Sequence, residues 1–149
     1  MISTHMNHAV KVLLLVEDNG ADVRLMKEAF RESGIVEDIS VVTDGEEAMM
    51  FLHKTGEYEN APRPHLILLD LNLPRKDGRQ VLSEIKSDHD LKRIPVIILT
   101  SSQAEEDIRT TYELGANCFI TKPLDFGEFT EITRLLADFR LGVVRLPEG

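Results

Sequence analysis

The sequence predicts an α/β domain built on a doubly wound, five-stranded parallel sheet flanked by five helices. Three observations carry this: aliphatic runs of strand length, helical spacing between them, and glycines or prolines at the joints. The runs are Val12–Val16, Ile39–Val42 with a serine inside, Leu66–Leu69 and Val96–Leu99, with a weaker fifth at Cys118–Thr121. Their hydrophobicity is continuous rather than alternating, so both faces of each strand are expected to be covered by helices.

The intervening segments supply those helices. Val23, Met26, Lys27 and Phe30 recur at helical spacing, as do Ala48, Phe51 and Leu52, and then Val81, Leu82 and Ile85. Phe129, Ile132, Leu136 and Phe139 predict a final amphipathic helix from about Phe126 to Leu141. Gly20, Asp22, Gly34, Gly45, Gly78 and Gly115 fall where turns or helix ends are expected, and Pro95 precedes a strand, where its missing N–H is tolerated. Right-handed crossovers between such units give a three-layer sandwich.

A length of 149 residues suits one domain that buries a core without staples. The expected division is a disordered tail over residues 1–8, one domain over 9–141, and a carboxyl-terminal tail over 142–149 available for dimer contact. The net charge of −9 argues against nucleic-acid binding, which needs clustered Lys and Arg. Cys118 is the single cysteine, so neither an internal disulfide nor a multi-cysteine zinc site can form. No signal sequence or membrane-length apolar run is seen, and a cytoplasmic location is expected.

In open α/β sheets functional groups gather outside the carboxyl ends of the strands. Here the first run ends in Glu17-Asp18, the third in Asp70, the fourth in Thr100, and the fifth leads to Lys122 and Pro123. Only the second lacks a residue suited to phosphate or metal chemistry. Taken alone, Glu17-Asp18 reads as a solvated turn or helix N-cap. The combination over four strand ends reads as a site.

If the first and third strands are neighbours, three carboxylates crowd together, each close pair repelling by roughly 4 kcal/mol at about 4 Å and an effective dielectric near 20. A hard divalent cation offsets this at neutral pH. The expected Mg²⁺ site comprises Asp18, Asp70, Glu17 directly or through water, and the backbone carbonyl of Asn72, with Mn²⁺ able to stand in. A carboxylate so placed can attack phosphorus, while Lys122, Thr100 and the N–H groups around Ser101 stabilise the transferring group.

These residues resemble the receiver domains of two-component response regulators: Val16-Glu17-Asp18-Asn19, then Leu69-Asp70-Leu71-Asn72-Leu73-Pro74 with Asp77-Gly78, Leu99-Thr100-Ser101, and Thr121-Lys122-Pro123. The likeness runs from about Val10 to Leu141. It implies a flavodoxin-like fold with strand order 2-1-3-4-5. It also implies that Asp70 accepts a phosphoryl group from a sensor histidine kinase's phosphohistidine, with Lys122 contacting that group and a cis bond before Pro123.

By the same resemblance Thr100 and Phe119 form the switch, with core packing the alternative role for Phe119, and Asn72 and Ser102 tune the lifetime of the phosphorylated state. The fourth helix, fifth strand and fifth helix, about Glu105 to Leu141, form the output face, through which a homodimer is expected. With only residues 142–149 beyond, output is expected through protein contact or phosphorelay. The connection Lys54–Pro64 and the tail Val143–Pro147 are similar to stand-alone regulators paired with bacterial phytochromes.

Two other readings stay open. One is an aspartyl-phosphate phosphohydrolase of the haloacid-dehalogenase type, whose general-acid aspartate would fall at Asn72, which cannot transfer that proton. The other is a receiver-like scaffold that is never phosphorylated.

Overall fold

A computed structural model describes residues 10–100, 108–109, 112–116, 118–121, 126–127, 129–131 and 133–134. Element order is β1 (Val10–Val16), α1 (Gly20–Ser33), β2 (Val36–Val42), α2 (Gly45–His53), β3 (Leu66–Leu69), α3 (Gly78–Ser87), β4 (Val96–Thr100) and β5 (Cys118–Thr121). Short 3-10 turns lie at Gly56–Tyr58 and Leu91–Arg93. Residues 108–109, 112–113, 126–127, 129–131 and 133–134 are also helical.

The five strands form one parallel sheet in the order β2-β1-β3-β4-β5, as the resemblance implied. The strand period of two divides the aliphatic runs between two cores. Leu14, Val16, Ile67, Leu69, Val96 and Ile98 pack with α2 and α3 through Ala48, Phe51, Val81 and Ile85. Leu13, Leu15, Leu66, Leu68, Ile97 and Leu99 face the other way, toward Met26, Ala29 and Phe30 of α1 and toward Phe129. Continuous hydrophobicity thus has the expected meaning: β1, β2, β3 and β4 each feed both layers.

Two strands begin earlier than the aliphatic runs. β1 starts at Val10, and β2 starts at Val36, taking in the exposed Glu37 and Asp38. β2 is one of the two outer strands, paired among the described residues with β1 alone, and charges on such an edge discourage pairing with other chains.

The glycines stand at helix ends, as expected: Gly20, Gly45 and Gly78 open α1, α2 and α3, Gly34 closes α1, and Asp22 lies in the first turn of α1. At Gly78 the reason is close approach. A Cβ there would lie 2.3 Å from the Asp70 carbonyl oxygen and 2.6 Å from the Leu71 Cα.

Candidate functional site

β1 and β3 pair directly, with Val16 in register with Leu69. The next residues in each chain therefore emerge side by side, and the Asp70 N–H continues the ladder by donating to the Val16 carbonyl at 3.1 Å. On the other side the Glu17 N–H donates to the Val42 carbonyl at 3.0 Å. Backbone pairing thus delivers Glu17, Asp18 and Asp70 to one edge, where a carboxylate oxygen from each lies within 4.8 Å of the other two.

Two of these carboxylates are buried, Glu17 at 1% and Asp70 at 6% exposure, while Asp18 is exposed. Buried carboxylates are costly unless compensated. Part of the compensation is local: Asn19 N–H donates to Glu17 Oε2 at 3.1 Å, and Asn72 N–H donates to Asp70 Oδ1 at 3.1 Å. The N-cap reading of Glu17-Asp18 is settled as well. α1 is capped by Asn19, whose Oδ1 accepts from Asp22 N–H at 3.0 Å.

Asn72 lies two residues beyond Asp70, exposed, at the start of the 71–77 loop. Leu71 within it is fully buried, and its carbonyl accepts from Leu73 N–H at 3.2 Å and Gly78 N–H at 2.9 Å. At the end of the loop, Asp77 caps α3. Its carboxylate accepts from Arg79 N–H at 3.0 Å, while its own N–H donates to Gln80 Oε1 at 3.1 Å. The carboxylate-bearing end of β3 is therefore joined to a helix start with little slack.

A hard, oxygen-only donor set at this spacing suits a divalent cation with water completing its shell. Glu17, Asp18 and Asp70 would hold the ion, and the opening at Asp18 gives it access. A cavity of about 350 Å³, lined by Lys54, Arg63, Asp88 and Asp90 among others, includes none of the three acids.

The backbone of Thr100 ends β4 at this edge, in register with Thr121 of β5, and Ile98 pairs with Phe119. The side chains of Thr100, Cys118 and Phe119 lie outside the described residues, as do Ser101, Ser102, Lys122, Pro123 with its expected cis bond, and residues 1–9 and 135–149. Among the described residues no peptide bond is cis and no helix is long and apolar enough to cross a membrane.

Sequence reasoning did not find the network around α2. Asp44 caps that helix, accepting from Glu47 N–H at 2.8 Å, and also faces Arg75 Nε at 3.4 Å. Glu47 accepts from Thr43 N–H at 3.0 Å, from Thr43 Oγ1 at 3.2 Å and from the Tyr58 hydroxyl at 3.1 Å. Tyr58 also packs on Phe51, ring centroids 5.5 Å apart, which docks the 54–64 connection onto α2. Burial, together with the hydrogen bond to Glu47 and its charge, pushes the Tyr58 hydroxyl up to about 12.

Residues 13–134 match the response regulator receiver domain family. The chain belongs to that family. It is 51% identical over 137 residues to response regulator Rcp1 of Synechocystis sp., covering 92% of this chain and 93% of that protein. The phosphorylated cyanobacterial phytochrome response regulator RcpA has a similar structure, with 51% identity, a TM-score of 0.84, and coverage of 93% of this chain and 99% of that one. A manganese-bound form of Rcp1 matches at 51% identity with a TM-score of 0.83, covering 93% of this chain and 99% of that one.

The receiver-family chain is thus a signalling protein with an acidic cluster suited to a divalent metal. The phytochrome regulators among its relatives agree with the likeness seen in the 54–64 connection.

Proposed function

We propose that this receiver accepts a phosphoryl group on Asp70 from the phosphohistidine of a sensor kinase, in a reaction that needs a divalent cation at Glu17, Asp18 and Asp70. The observation that carries the reading is the gathering of the three carboxylates within 4.8 Å at the carboxyl edge of β1 and β3. A bound Mg²⁺ supplies positive charge against both the carboxylates and the incoming phosphoryl oxygens.

Asp70 is the nucleophile. The Asn72 N–H donates to Oδ1 and restrains the carboxylate, which narrows the range of rotamers open to it before attack. A carboxylate oxygen forms a bond to phosphorus as the bond from phosphorus to the histidine nitrogen breaks, and the imidazole leaves neutral or picks up a proton from water. No general base is required, because an ionised carboxylate has no proton to lose. Lys122, Thr100 and Ser101 serve as donors to the phosphoryl oxygens, the Asn72 carbonyl as a further metal ligand, and Asn72 and Ser102 as tuners of hydrolysis.

The catalysis extends only to the protein's own phosphorylation and dephosphorylation. Phosphorylation adds close to two negative charges at pH 7. Thr100 and Phe119 relay this to the face formed by β5 and its neighbouring helical segments, which meets a second copy or another protein rather than nucleic acid. A bacterial phytochrome is the kinase class that the relatives favour. Residues 9–141 act as the domain, 1–8 and 142–149 as tails, and the protein works in the cytoplasm.

Intact-mass measurement after incubation with Mg²⁺ and acetyl phosphate tests this. Wild type should gain one labile phosphoryl adduct that disappears on chelating the metal, and Asp70→Asn should gain none. An adduct retained in Asp70→Asn would move the acceptor elsewhere and end the proposal.

A further inference from the structure

Among the described residues only Lys54 and Arg75 combine a side chain with positive φ, Arg75 at +68°. A left-handed backbone carries a steric cost for any residue with a Cβ, so its surroundings must hold it there. Arg75 lies in the 71–77 loop, and its guanidinium reaches two carboxylates at the start of α2, with Nε 3.4 Å from Asp44 Oδ2 and Nη1 3.9 Å from Glu46 Oε1. The next residue, Lys76, presses its carbonyl against Gly45, where a Cβ would lie 2.0 Å from that oxygen. At the far end Gly78 packs on the backbone of Asp70 and Leu71. The loop that follows Asp70 and contains Asn72 is thereby held from both sides.

We infer that Arg75 is a positioning residue for the cation site: by tying the 71–77 loop to the start of α2, it keeps the Asp70 carboxylate and the Asn72 carbonyl at the spacing a divalent ion requires. The inference rests on the metal-site reading above. Arg75 acts on the ion through the backbone it restrains. An exposed ion pair contributes little to stability by itself. Here its use is to select one loop conformation.

Glycine at this position separates positioning from mere stability. Arg75→Gly adopts φ near +68° without the Cβ cost, so metal-free stability should stay level or rise. It also removes a positive charge, which by itself would favour a nearby cation. Weaker metal binding in this variant therefore runs against both trends and reports lost positioning.

The experiment is calorimetric titration of the full chain with Mg²⁺ alongside metal-free thermal melts, for wild type, Arg75→Gly, Arg75→Lys, Asp44→Asn, the Arg75→Gly/Asp44→Asn double variant, and Asp18→Asn. Asparagine at 44 keeps a capping oxygen while removing the charge that faces Arg75. Arg75→Gly should weaken Mg²⁺ binding about fivefold, a little below the usual loss when a group supporting metal ligands is removed. Arg75→Lys should recover part of it, and the double variant should lose no more than the weaker single one. Unchanged or tighter Mg²⁺ binding in Arg75→Gly, or fully additive losses, would overturn the inference. If Asp18→Asn also binds Mg²⁺ as well as wild type does, the metal site falls with it; if Asp18→Asn weakens binding and Arg75→Gly does not, only the role of Arg75 falls.

Discussion

β1 and β2 run side by side, Val16 in register with Val42, and acids follow both strands at the same sheet edge. Their fates differ. Asp44, after β2, meets the first turn of α2 and the guanidinium of Arg75, so its charge is absorbed by a cap and a counter-charge. Glu17 and Asp18, after β1, meet Asp70 from the adjoining strand, while the capping of α1 falls to Asn19. An acid after an aliphatic strand is thus either a structural cap or part of a site. The neighbouring strand decides, because β3 brings a further carboxylate where α2 and Arg75 bring N–H groups and a cation.

The sharpest way to break this contrast is to disturb the joint that delivers Asp70. Gly78→Ala would push a Cβ against the Asp70 carbonyl and the Leu71 backbone, neither of which can rotate away. Overpacking of this kind costs about 1–3 kcal/mol, so denaturant melts should show a large loss and Mg²⁺ affinity should fall with it. Gly20→Ala, also at the first residue of a helix, meets nothing within 4 Å and should leave both nearly unchanged.

The two acidic strand ends should then respond with opposite signs. Asp44→Ala removes a cap and should destabilise the metal-free protein by about 1 kcal/mol. Asp18→Asn relieves carboxylate repulsion and should raise the metal-free melting temperature, by roughly 4 °C if the relief is about 1 kcal/mol. It should also blunt the stabilisation that added Mg²⁺ gives wild type. Metal-free melting of both variants measures this directly; a loss in both would mean that Asp18, like Asp44, is spent on structure.

A smaller effect concerns Glu47, a further acid in the first turn of α2. Its partner Tyr58 has a folded pKa of about 12 against an ordinary 10.0, raised by burial first and by Glu47 second. The sign follows from linkage: the stabilising contribution is whole below pH 10.0 and is lost as pH rises toward about 12, where a phenolate would face Glu47. Ultraviolet titration should show one tyrosine ionising near 12, and Tyr58→Phe should remove that step. The variant should lose about 1 kcal/mol at neutral pH, as for one hydrogen bond.

Much of this was legible from residue order. Unbroken aliphatic runs marked β1, β3 and β4 as strands buried on both faces, and the acids after β1 and β3 marked the site edge. The strand order came from resemblance, since periodicity says nothing about which strands adjoin. The start of β2 was hidden because Glu37 and Asp38 break its apolar run, as an outer strand allows. Gly45 and Gly78 were visible as breaks, but their close contacts with Lys76 and Asp70 depend on packing between segments far apart in sequence. For the same reason nothing marked Arg75: its left-handed backbone and its partners Asp44 and Glu46 carry no local signal.

The central claim is that backbone pairing of β1 with β3 builds a divalent-cation site from Glu17, Asp18 and Asp70. Anomalous diffraction from crystals grown with Mn²⁺ tests it most directly. The account predicts a single strong peak among these carboxylates, about 2.0–2.2 Å from at least two of their oxygens, as for an ion in a Mg²⁺-type oxygen shell. Density that leaves the three side chains turned apart, with manganese bound elsewhere or not at all, would contradict it.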